Sequence, residues 1–183
     1  MKIAKIKIEE NIAEYILYMY QIEDTIRAFN FNVDQIMMHV VQPQLDNQND
    51  LISYKNWYLE LINKMKIQGI EKQGHLGELS DIIVELSYLN NTLLTIANDK
   101  KYKNIVEKTT PFVEEFKNKS NLKEKNTIEV LLHAMYMKLL LKLSKKTISN
   151  ESEEAFDSMR IQLAYLVAAY HKMKKGNLDF LKN

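Results

Sequence analysis

The chain contains no cysteine, four glycines and two prolines among its 183 residues. Without cysteine there can be no disulfide framework and no thiolate metal site, and a reducing compartment is compatible with everything present. Scarce glycine and proline leave few places where a helix must stop. Arginine is almost absent as well: Arg27 and Arg160 stand against 25 Lys and Arg residues in total. The planar guanidinium fork is the usual reader of phosphate and guanine, so a lysine-rich, arginine-poor chain is a weak candidate for nucleic-acid recognition. Nor does either sign of charge dominate, because 25 basic and 24 acidic residues leave a net charge of +1. Such a balance provides no field to steer polyanions or coat an acidic membrane. Long apolar runs are missing too. The opening residues Met1 to Lys7 alternate lysine with apolar residues, and Leu139 to Leu141 and Leu163 to Tyr170 fall well short of the roughly 20 residues needed to cross a bilayer. A cytoplasmic, non-membrane protein is expected.

What is present is 3.6-residue periodicity. It predicts an all-α single domain over 1–183, a bundle of about seven helices with mostly antiparallel neighbours and a short tail at 176–183. A first segment from Ile6 to Phe29 collects Ile8, Ile12, Tyr15, Ile16, Met19, Ile22 and Ile26 on one arc. A corner at Asn30 to Asn32 leads into a short helix, Val33 to Val41, ending near Pro43. After a polar linker at Gln44 to Asn49, a third helix from Asp50 to Ile70 aligns Leu51, Tyr54, Tyr58, Leu61, Ile62 and Met65. Glu78 to Asn98 does the same with Leu79, Ile82, Ile83, Leu86, Leu89 and Leu93. Between Asp99 and Lys119 the pattern weakens, and Thr110-Pro111 has the form of an N-cap followed by a first-turn proline, which predicts a break. Two long helices close the chain, Lys123 to Lys146 and Ser149 to Lys175, with Ser149 or Asn150 capping the second. Apolar all round from Leu163 to Tyr170, the last helix is expected to be central or to offer a partner surface.

Several runs are similar to a family of all-helical Bacteroidetes proteins catalogued as a domain of unknown function. They are Asn11-Ile12-Ala13-Glu14-Tyr15-Ile16-Leu17-Tyr18-Met19, Gln21 to Asp24 with Ile26-Arg27, and His75-Leu76 with Glu78-Leu79. Near the end come Leu139 to Leu141 with Leu143, then Tyr170-His171, Gly176, Leu178 and Phe180. Tyr20 departs from the family's more usual tryptophan, and Asn177 and Asp179 from its glutamates. The resemblance implies a helical domain without an established activity, substrate or cofactor.

Glu23 falls between Met19 and Ile26, inside the apolar arc, where a carboxylate requires a partner. Arg27 lies one turn on, at ion-pairing distance, and either satisfies it or lines a polar pocket with it. His75, Glu78 and Glu85 share one side of a helix if that helix begins before Gly77. No Glu-x-x-His pair accompanies them, so no metal and no cofactor are expected. Glu78-x-x-Asp81 is similar to the second half of the acidic motif of all-helical nucleotide pyrophosphohydrolases, but the upstream glutamates that would hold magnesium are missing: between Leu45 and Lys66 only Glu60 occurs. Glu151, Glu154 and Asp157 form an acidic turn near a helix start, where the dipole favours them anyway. Tyr170 and His171 precede a lysine-rich helix end, and Leu178 and Phe180 have the character of anchors for the body or for a second chain. The favoured function is a non-enzymatic interaction or scaffold module that self-associates or binds a protein partner. The rival is a small-molecule or metal-dependent enzyme with a polar pocket built from Glu23, Arg27, His75 and Glu78, with Tyr170 and His171.

Overall fold

A computed structural model describes residues 2–45 and 50–176. Among the described residues there are eight α-helices and no strand, so the fold is all-α as the periodicity predicts. The chain forms two compact units, Met1–Ser80 and Asp81–Asn183, with the division falling inside one helix.

In the first unit, α1 (Lys2–Glu10) and α2 (Ile12–Ala28) stand where the periodicity predicts one helix. Asn11 separates them. Its backbone is extended, and its side chain accepts hydrogen bonds from the N–H groups of Ala13 and Glu14, so it caps α2. Such side chains compete for backbone donors and therefore start helices more readily than they continue them. The interruption breaks the arc's phase: Ile8 is exposed, whereas Ile12, Ile16, Met19, Ile22 and Ile26 are buried. Asn30 and Phe31 turn the corner with positive φ, and Asn32 caps α3 (Val33–Ile36). A π-helical turn at Met37–Val41 and a 3₁₀ turn at Gln42–Gln44 complete the short segment before Leu45. The helix α4 (Leu51–Ile67) buries Tyr58, Leu61, Ile62 and Met65 and packs against α3 and the π turn.

The helix α5 (Gly77–Asn91) runs into a second π turn at Thr92–Ile96. In the second unit α6 (Lys100–Lys119), α7 (Thr127–Leu143) and α8 (Asn150–Lys174) pack on one another, so α8 faces both partners as its apolar character requires. Each start is capped. Asp99 accepts from the Tyr102 N–H, Asn126 and Glu129 form a reciprocal capping box, and Ser149 accepts from the Ser152 N–H. The expected break at Thr110-Pro111 is absent, and α6 passes through Pro111. The cap-and-proline pattern fails because Asp99 caps the helix eleven residues earlier in the sequence. The hydroxyls of Thr109 and Thr110 turn back to the carbonyls of Ile105 and Val106, as in a helix interior. The expected anchors Leu178 and Phe180 lie outside the described residues, as does most of the linker before Asp50.

Candidate functional site

One face of α2 carries Tyr20, Glu23, Asp24 and Arg27 within two turns, and what it meets is the connection from α4 to α5. That connection, Gln68 to Leu76, turns through Gly69 at φ 66° and Gly74 at φ 94°, conformations that side chains with a Cβ rarely adopt. A coil segment has backbone groups without helical partners, and they must be satisfied individually. Glu23 and Arg27 do this. The Glu23 carboxylate is fully buried; Oε1 accepts from the Leu76 N–H at 2.9 Å and Oε2 lies 2.6 Å from His75 Nδ1. The His75 ring stacks on Tyr20, with centroids 3.5 Å apart and planes 17° from parallel. Arg27 donates to the Ile70 carbonyl from Nε and Nη2, to the Gly74 carbonyl from Nη2, and pairs with Asp24 through Nη1 at 2.9 Å. A further bond closes the segment, from the Gly77 N–H to Gln68 Oε1.

Glu23 and Arg27 thus hold the same loop by different atoms. Sequence spacing pairs them with each other; the structure gives the carboxylate to His75 and Leu76 and the guanidinium to two carbonyls and Asp24. His75 precedes α5 and is not on the helical face that sequence spacing assigns it, because the helix begins at Gly77. Glu78 pairs instead with Lys64, at 2.7 Å, and Lys64 also reaches Glu60. Tyr15 lies nearby: burial pushes its hydroxyl up, Glu78 adds to the shift and Lys64 opposes it. Among the described residues no three His, Asp or Glu side chains gather as a metal-ligand set.

Tyr170 and His171 belong to the second unit. The Tyr170 hydroxyl donates to Glu85 at 2.7 Å, Lys174 pairs with the same carboxylate at 2.7 Å, and the Lys174 ammonium lies 5.2 Å from the Tyr170 ring centre. The two donors hold Glu85 below the usual carboxylate range. Burial, then the charge of Lys175, lowers His171. None of these links requires a ligand.

A concavity of the second unit lies elsewhere, between the second half of α6 and the first turns of α8. About 400 Å³ is lined by Phe112, Phe116, Phe156 and Met159, with Glu115, Glu151 and Glu154 at the rim. Phe156 and Met159 are buried and form the floor, whereas Phe112 and Phe116 are only half-buried. Phe116 meets Phe156 edge to face, with ring centres 6.3 Å apart. The α8 start is positioned here by Ser149. Lys119 pairs with Glu115, and Lys138 with Glu153, while the charges of Glu151 and Glu154 bring the lining to a net negative balance.

Sequence reasoning missed Tyr20 as the stacking partner of His75 and missed this groove. A signal existed for each. Tyr20 sits three residues before Glu23, at a position where the resembled family usually has another large aromatic, and Phe112 and Phe116 are one turn apart on α6.

The model of a family described as a domain of unknown function (DUF4924) matches residues 1–177, and the chain belongs to that family. Two of the runs that carry the resemblance, Gln21 to Arg27 and His75 to Leu79, meet at the loop seat. No curated protein and no solved structure matches the chain.

Proposed function

Starting from membership of a family without an assigned activity, we propose that the chain is a non-enzymatic interaction module that associates with protein through the second unit. The observation that carries this reading is the α6–α8 groove, where Phe112 and Phe116 stay half-buried beside a buried aromatic floor. Half-buried aromatic rings around a concavity are characteristic of protein-binding surfaces, which are enriched in such side chains. The disposition of the polar groups supports it from the other side. Glu23, Arg27 and His75, the residues best suited to line a catalytic pocket, are engaged in seating a loop, and Glu78 is engaged with Lys64. A carboxylate that already accepts from a histidine and a backbone N–H would have to give up a partner to act on a substrate.

A cytoplasmic setting belongs to the same proposal, supported by the cysteine-free composition, and a Bacteroidetes origin rests on the resemblance. No helix among the described residues is long and apolar enough to cross a membrane. Light scattering after size exclusion tests the self-association that the reading includes. A mass above that of one 21.6 kDa chain, rising over the micromolar range, is the expected result. A single-chain mass up to hundreds of micromolar would remove it.

A further inference from the structure

The two ends of α8 carry opposite charge. Its first turns hold Glu151, Glu153, Glu154 and Asp157, and its last turn holds Lys172 and Lys174, with Lys175 as the C-cap residue. The helix dipole explains that polarity in part. It does not account for the apolar groups at each end: Phe112, Phe116, Phe156 and Met159 in the groove beside the acidic end, and Leu178, Phe180 and Leu181 in the sequence just after the basic end. One end is an acidic rim around an aromatic concavity. The other is a lysine cluster followed by apolar residues.

We propose that the groove receives residues 172–181 of a second copy of this chain, with Leu178 and Phe180 entering between Phe112, Phe116 and Met159 and with Lys172 and Lys175 facing Glu151 and Glu154. This deepens the reading of the chain as an interaction module and rests on it. The chain cannot satisfy its own groove. At 1.5 Å per residue, Phe156 lies about 30 Å along α8 from Gly176, and Met159 about 25 Å. The four residues from Gly176 to Phe180 span at most about 14 Å even when fully extended. Only another molecule can bring Phe180 to the floor. A contact in which one end of a molecule meets the opposite end of the next is heterologous, so it builds either a closed ring or an open chain. Desolvating two apolar side chains in a preformed concavity provides the affinity, and the charges fix direction and respond to salt.

Sedimentation velocity on the full chain tests the proposal with three variants. Leu178→Asp with Phe180→Asp should weaken association at least tenfold, because two apolar anchors become anions beside an acidic rim. Glu151→Lys with Glu154→Lys should weaken it by a similar factor, and adding Lys172→Glu with Lys175→Glu to that chain should restore most of the loss. A fluorescent peptide of residues 172–183 should bind the wild-type chain and bind the Glu151→Lys, Glu154→Lys chain several-fold more weakly. Association that survives the Leu178→Asp, Phe180→Asp change would overturn this inference and leave the module reading in place. A wild-type chain that stays monomeric at every concentration would overturn both.

Discussion

Glu23 shows how an acidic residue can occupy the buried face of a helix at no unpaired cost. Its two oxygens take a backbone N–H and an imidazole from a loop that has no helical partners of its own. Replacing it with alanine leaves His75 and the Leu76 N–H without that acceptor, which should cost about 3 kcal/mol and lower the melting temperature by roughly 6–12 °C. Differential scanning calorimetry of Glu23→Ala would read this directly; a change under about 2 °C would mean that the loop is held by other contacts. Glu85 gives a pH-dependent counterpart. Its carboxyl is lowered in the folded chain by the bonds from Lys174 and Tyr170, so its stabilising contribution is full above the unfolded value of 4.5 and is lost as pH falls through the lower, folded value. Thermal melts from pH 6 down to pH 3 should therefore decline less steeply for Glu85→Gln than for the wild type. Parallel declines would exclude Glu85 as a contributor. At this scale the need for a partner at Glu23 was legible in the sequence, because an apolar arc around a carboxylate demands one. The partner's identity was not, since a contact across 52 residues depends on the path of a loop that no helical periodicity describes.

Among the elements, buried positions were the more legible and helix ends the less. Leu79, Ile83, Leu86, Leu89 and Leu93 are all buried as the period requires. Asn11 and Pro111 are the instructive exceptions. A single asparagine inside a periodic stretch splits α1 from α2 because its side chain captures two N–H groups, while a proline with a fitting cap before it leaves α6 unbroken. Pro111 withholds a donor from the interior of α6, and its position is exposed. Pro111→Ala should therefore stabilise the chain by about 1–3 kcal/mol, read as a higher urea midpoint. A lower midpoint would indicate that the proline ring makes a contact worth more than the lost hydrogen bond. The groove escaped notice for a related reason. Phe112 and Phe116 were visible as an i, i+4 pair, but the pattern across Asp99 to Lys119 read as broken, and the facing residues arrive from α8, about forty positions later.

For the molecule as a whole, α5 contributes Gly77 to Ser80 to one compact unit and the rest of its length to the other. A shared helix cannot melt in one unit without losing turns from the other, so we propose that the chain unfolds as one domain. A single calorimetric transition with matching calorimetric and van't Hoff enthalpies is expected, and two resolved transitions would count against it. We propose that the α6–α8 groove serves association of this chain with protein. The chain's nine methionines provide separate reporters of such contact. Met159 lies in the groove, Met173 stands beside the lysines of the opposite end of α8, and Met137 is exposed on α7 with Leu140 and Leu143. The most direct measurement is a methyl spectrum of [¹³C-methyl]methionine protein recorded across concentration. The Met159 and Met173 resonances should shift together as the protein is concentrated while Met137 stays fixed; movement of Met137 with Met159 unchanged would place the contact on α7 and rule out the groove.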